Sequence, residues 1–373
     1  MGREAGGPGT AALYLVDGVA LLRPDEQVFT AMLDGWRTQQ LARNLAFTTI
    51  EKRLATVRAF TGHADAFPWA WGSQMLDEWL GDLRSVRGLR RSTIRNYSST
   101  VAAFCDYLTD PAYQWVEQCE RRFGTHPVQV VHEWNTAVHA QEAEGDPARR
   151  AFTLNELQAL FDYADEQVAR ARAAGRKGWL SLFRDATLLK TAYGYGLRRN
   201  ETAMLDVVDF GANPHAREFG DVGLCRVRFG KANKGSPPKP RTVLTVWPWT
   251  VEIVQQWTQE IRPLMAEAGS PALWPSERGE RLTVNAINRR LTEYRRALDL
   301  GPGLDFHSLR RSYVTHLIED GWDPLFVQQQ VGHEHASTTS IYTCVSSDFR
   351  TRTLRQALDA TMLAAVRPER TAG

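Results

Sequence analysis

Three separated segments carry the residues whose types and spacing could do chemistry. In Tyr193-Gly-Tyr-Gly-Leu-Arg-Arg-Asn-Glu201, a glycine-punctuated turn precedes Arg198, and Glu201 follows it by three positions. A carboxylate at i+3 can hold a guanidinium in one rotamer, and a rigid fork of N–H donors matches phosphate oxygens. In Asp305-Phe-His-Ser-Leu-Arg-Arg311, His307 and Arg310 lie three apart at the start of a helix and share a face, while Leu309, Tyr313 and Leu317 mark the face turned to the core. An arginine neutralises charge on a transferring phosphate, and an imidazole exchanges protons near neutral pH. The third segment is Val331-Gly-His333, followed nine residues later by Tyr342. A tyrosine becomes a covalent nucleophile where neighbouring cations favour its phenolate. Taken singly, each signal has a plainer reading: an ordinary helix ion pair, a common HxxR, a ring packed in the core. Taken together, they describe phosphoryl transfer. No Walker-type GxxxxGK[ST] and no DxD-like carboxylate cluster accompany them, so neither nucleotide nor metal is expected, and no cofactor.

The order and spacing of GLRxxE, a lysine in a β-hairpin, HxxR, GH and a tyrosine resemble the tyrosine recombinase (phage integrase) family, from about residue 153 to the end. Carried over by position, the resemblance implies that Arg198 is the first catalytic arginine, and that its neighbour Arg199 is not. It makes Lys231 the hairpin lysine, with Lys234 the second choice. His307 and Arg310 become the HxxR pair, His333 fills a position held by histidine or tryptophan, and Tyr342 is the nucleophile, with Glu201 supporting Arg198. The implied chemistry has the two arginines gripping the non-bridging oxygens of the scissile phosphate. His307 assists proton removal from Tyr342, His333 hydrogen-bonds the phosphate, and Lys231 protonates the leaving 5′ oxygen. The product is a 3′-phosphotyrosine. One departure stands out: the usual short GKGxK hairpin is lengthened into residues 231–241, which Pro237 and Pro238 stiffen. A type IB topoisomerase and a non-catalytic DNA-binding regulator on the same fold remain the alternatives.

These residues need elements to position them. From Gln27 to about Tyr113 the apolar spacing is helical: Phe29, Met32, Leu33 and Trp36, then Ile50, Leu54, Val57 and Phe60, then Met75, Trp79, Leu80 and Leu83. Ser92 or Thr93 is placed to cap a further helix. Thr153-Leu-Asn-Glu156 has the form of a capping box, and a long helix is expected over 179–193. Strands are expected over 224–229 and 242–246, with helices thereafter. The fold class is mostly α with a small β-sheet: a SAM-like helical core-binding domain followed by an α+β catalytic domain. The expected boundaries are a loosely ordered tail at 1–26, the DNA-binding helical domain at 27–119, a linker at 120–150, and a catalytic domain at 151–373. An amphipathic C-terminal helix through Phe349, Leu354, Leu358 and Met362 could pack on a neighbouring protomer or on its own domain.

The chain has 373 residues and a formal net charge of only +2, so the distribution of charge matters more than its sum. Arg84, Arg87, Arg90, Arg91 and Arg95 crowd one segment; Lys234, Lys239 and Arg241 belong to another. Both are expected to contact double-stranded DNA, the first beside a helix N-terminus whose free N–H groups also suit phosphate. The implied assembly is a homotetramer on paired recombination sites. The four cysteines show no CxxC pair, and Cys119, His126, His132 and His139 fit no common zinc spacing. With no apolar run long enough to span a bilayer and no basic secretory start, the expected location is the cytoplasm, at the nucleoid.

Overall fold

The computed structural model describes residues 7–15, 22–136, 150–230, 239–267 and 269–332. These fall into two compact units, 7–136 and 150–332, each with its own apolar core.

The first unit is helical. Its elements are α1 (Ala11–Tyr14), α2 (Pro24–Ala42), α3 (Phe47–Ala64), α4 (Ser73–Ser85), α5 (Arg91–Thr109) and α6 (Trp115–Phe123). Pro24 opens α2, where its fixed φ and missing N–H cost nothing. Tryptophans dominate the core: Trp36 packs on Phe104, and Phe60 lies between Trp71 and Trp79. Residues before 27 also contribute. Ala11 and Leu15 are buried, and the Tyr107 hydroxyl donates to the Gly9 carbonyl oxygen at 2.6 Å, so this part of the expected tail is packed into the core. At the other end, α6 runs across position 120 and Val130 is fully buried in the same core. Packing thus extends the first unit past 119, because Trp115 and Cys119 bring the chain back under α5.

The second unit begins with α7 (Leu154–Ala173), closed at its start by the Thr153/Glu156 capping box. There follow α8 (Trp179–Gly194), α9 (Arg199–Ala203), β1 (Phe210–Gly211), β2 (Leu224–Val227), β3 (Arg241–Leu244), α10 (Pro248–Gln256), α11 (Val284–Ala297), α12 (Phe306–Glu319) and α13 (Pro324–Val331). The three strands form one antiparallel sheet in sequence order, with Cys225 opposite Val243 and Val227 opposite Arg241. Side chains alternate along such strands, so Cys225, Val227 and Val243 enter the core while Arg226 and Thr242 face outward. β2 is shorter than expected because Arg228 leaves the ladder to pair with Asp206 and Asp209. Among the described residues, no helix is long and apolar enough to cross a membrane.

Candidate strand-transfer site

Three pieces of local structure converge. The α8 helix ends at a turn where Gly196 takes φ of 56°, and a Cβ there would stand 2.6 Å from the Tyr313 ring. Only glycine lets the backbone pass so close to α12. The turn delivers Arg198 to the N-cap of α9, where its backbone N–H donates to Glu201 Oε2 at 2.8 Å and its Nη1 donates to Oε1 at 2.7 Å. The guanidinium is therefore held in place by its own helix, and its side chain stays 27% exposed.

The second piece is α12. Asp305 caps it by accepting from the Ser308 N–H at 3.0 Å, and Phe306, Leu309, Tyr313 and Leu317 anchor it in the core. Arg310 is buried with them. Its Nη1 donates to the Gly196 carbonyl oxygen at 2.7 Å, its Nη2 to the Val331 carbonyl oxygen, and it stands 3.8 Å from Glu201. His307 lies one turn earlier on the solvent side. Partial desolvation of its ring, followed by the charges of Arg311 and Arg310, pushes its pKa down to about 4. The imidazole is neutral at physiological pH and able to accept a proton; an anion bound nearby would raise that value.

The third piece is β3, and it carries a correction. Arg241, expected from the sequence to contact DNA, has a side chain only 11% exposed. Its Nη1 and Nη2 donate to Glu201 Oε1 and Oε2, each at 2.8 Å, and its Nε donates to the Gln330 carbonyl oxygen at 3.1 Å. Strand alternation explains this: Arg241 shares a face with Val243, which is turned to the core, whereas Thr242 points out. That parity is a property of the sequence, but the basic neighbours of Arg241 suggest a surface instead. The Gln330 side chain, also unforeseen, bonds the Leu244 N–H, the Leu244 carbonyl and the Tyr313 hydroxyl, which locks α13 to β3 and α12. Behind the site, Trp247 stacks on Tyr193 at 5.0 Å and meets Tyr313 edge-on.

Among the described residues the result is three guanidiniums around one buried carboxylate. Burial works to raise the Glu201 pKa, but the hydrogen bonds and charge of Arg241, the Arg198 N–H and the Arg310 charge outweigh it and hold it at about 2. Arg310 is pushed down to about 9, first by burial and then by the Arg198 and Arg241 charges. The cluster carries two positive charges more than its carboxylate supplies, the condition for holding an anion such as a phosphodiester.

Arg84, Arg87, Arg90 and Arg91 are exposed and Arg95 is half-buried; they flank the α4–α5 turn. The helix opens two to three residues earlier than expected: Arg90 is the N-cap of α5 and makes no side-chain cap bond, so neither Ser92 nor Thr93 caps it. Lys239 is exposed. Cys119 is buried in the first core, and among the described residues no cluster of His, Cys, Asp and Glu could hold a metal ion. A groove of about 630 Å³ lined by α7, α8 and α10 contains none of the expected catalytic residues. Lys231, Lys234, His333, Tyr342, His139 and the expected C-terminal helix lie outside the described residues.

The fold is shared with solved DNA recombinases. It superposes with a TM-score of 0.61 on XerH recombinase in a post-cleavage complex with palindromic difH substrate, at 20% identity over 90% of this chain and 84% of that one. A lambda integrase dimer bound to a COC′ core site gives 0.57 at 14% identity, over 89% and 84% of the two chains. Among curated relatives, tyrosine recombinase XerD of Staphylococcus epidermidis is 26% identical over 298 residues, 73% of this chain and 94% of the relative. Tyrosine recombinase XerC of Herpetosiphon aurantiacus is 27% identical over 324 residues, 83% of this chain and 92% of the relative. Residues 150–348, more than half of the chain, match the phage integrase family, and the chain belongs to that family, the tyrosine recombinases. It is thus a DNA strand-transferring enzyme.

Proposed function

We propose that the chain is a site-specific recombinase that integrates or excises a mobile element through a 3′-phosphotyrosine bond at Tyr342. Arg198 and Arg310 grip the scissile phosphate and stabilise its pentacoordinate transition state. Neutral His307 takes part in removing the Tyr342 proton, His333 hydrogen-bonds the phosphate, and Lys231, or failing it Lys234, protonates the leaving 5′ oxygen. One phosphodiester-like bond replaces another, so no external energy source is required. The observation that carries this reading is the guanidinium cluster around Glu201, whose excess positive charge calls for an anion. A regulator that only held DNA is told apart by the absence of a covalent adduct at Tyr342. Pairing of two DNA sites by a homotetramer in the cytoplasm, at the nucleoid, is favoured over topoisomerase-like relaxation. It is supported by the family match and by a lambda integrase tetramer solved on a Holliday junction, which has this fold at a TM-score of 0.54. The segment with Arg84, Arg87, Arg90, Arg91 and Arg95 is assigned to DNA phosphates, together with Lys239.

The test uses nicked suicide duplexes made from the DNA that flanks the gene, incubated with the full chain without divalent metal. A slower, covalent band is expected under denaturing conditions. It should vanish in Tyr342→Phe while DNA binding persists, since only the nucleophilic oxygen is removed. A covalent band that survives in Tyr342→Phe would overturn the nucleophile; tight binding with no band in the wild type would favour the regulator.

A further inference from the structure

The Glu201 carboxylate is shared unequally. Arg241 occupies both oxygens in a fork, while Arg198 reaches only Oε1 with its side chain and Arg310 stays 3.8 Å away. A bidentate guanidinium–carboxylate pair is the strongest and most directional of these contacts. Arg241 itself is immobilised from three sides: by β3, by its bond to the Gln330 carbonyl oxygen, and by Gly332, where a Cβ would come within 2.8 Å of its Cδ. It holds the end of α13 and the start of α9 together.

We propose that Arg241 is a positioning residue that saturates Glu201, so that Arg198 and Arg310 keep their donors and their charge for the scissile phosphate. The inference rests on the strand-transfer reading. Without Arg241, Glu201 Oε2 would keep only the Arg198 backbone N–H, with the Arg310 guanidinium, 3.8 Å away, the nearest cation to supply the missing charged donor. The buried carboxylate would then compete with the phosphate for the catalytic guanidiniums, and the excess charge of the cluster would fall from two to one. The close approach of Arg241 to Gly332 also gives the glycine of the Gly-His pair a second reason beyond its helix-ending φ of 62°.

The test compares wild type, Arg241→Met, Glu201→Gln and the double variant by single-turnover cleavage at saturating suicide duplex, with affinity and melting temperature measured alongside. Arg241→Met is expected to cleave about 100-fold more slowly, the scale of a small misplacement of reacting groups, with affinity little changed. Adding Glu201→Gln removes the competing charge and is expected to restore much of that loss. Arg241→Met cleaving at the wild-type rate overturns the proposal. So does a double variant as slow as the single one, since Arg241 would then be only a strut. Should Arg241→Met fail to fold, Arg241→Lys takes its place: a single ammonium nitrogen cannot copy the planar two-nitrogen fork while also bonding the Gln330 carbonyl oxygen, so cleavage slower than wild type is expected, and wild-type cleavage overturns the fork. Thermal stabilisation by inorganic phosphate repeats the comparison without DNA. There, wild type and double variant should respond more than Arg241→Met, and equal responses count against the proposal even where wild-type cleavage is absent and the strand-transfer reading itself has failed.

Discussion

Arginine does two different jobs in the two units. In the first, Arg84, Arg87, Arg90 and Arg91 stand in solvent around the α4–α5 turn, beside an α5 N-terminus without a side-chain cap. In the second, Arg198, Arg241 and Arg310 converge on one carboxylate, and two of the three have little or no contact with water. An exposed guanidinium costs little to maintain, is screened by salt, and acts additively with its neighbours. A buried one is expensive, geometrically exact in its needs, and coupled to every partner. The first pattern suits general attraction to a polyanion; the second suits holding one phosphate in one orientation.

Breaking the buried side should have the larger effect. Arg310→Ala removes a transition-state donor and also leaves the Gly196 and Val331 carbonyl oxygens without their partner. Cleavage at saturating DNA should fall by at least the 10²–10³-fold typical of losing one preorganised donor, about 2.7–4 kcal/mol. Near-normal turnover would remove Arg310 from the site. On the exposed side, Arg87→Gln and Arg91→Gln should weaken binding to all duplex sequences alike. Each should lower the slope of log affinity against log salt by about 1, with the cleavage rate of the bound complex unchanged. If these changes altered the bound-state rate instead, the two regions would not be as separate as their environments suggest.

The smallest expected effect concerns pH. His316 is buried with Nε2 3.0 Å from the Phe152 carbonyl oxygen and Nδ1 3.0 Å from the Tyr193 hydroxyl. A carbonyl only accepts, so Nε2 carries the proton and Nδ1 accepts from Tyr193. Burial lowers its pKa below the usual 6.5, against the opposing pull of its bond to Phe152 and of Glu319 and Asp320. The unfolded chain therefore binds the proton more readily, and stability should be intact above about pH 6.5 and decline as pH falls below it. His316→Gln, which can keep both hydrogen bonds without titrating, should shrink that acid limb in melting experiments and leave the part that His307 contributes. An unchanged limb would assign the acid sensitivity to other groups.

Much of the site was legible before any coordinates. Arg198 and Glu201 sit three apart at a helix start, and His307 and Arg310 share a helix face, because helical periodicity is a local rule that sequence spacing obeys. The cap at Thr153 and the helices of the first unit follow from equally local chemistry. Other features escaped for different reasons. Arg241 lies in a run of basic residues, which suggests a surface, while its inward face depends on which strand parity meets the core. Trp247, Gln330 and the close approach at Gly196 belong to contacts between α8, β3, α12 and α13, which no single segment announces.

The sequence alone determined which residue types could transfer a phosphoryl group, their order along the chain, and the helices that bear them, since these depend on spacing within one segment. Only the tertiary structure decided that Glu201 is shared among three arginines, and that Arg241 belongs to the interior. Those are long-range pairings between α9, β3 and α12, set by how the elements pack and by the need of a buried carboxylate for complete compensation.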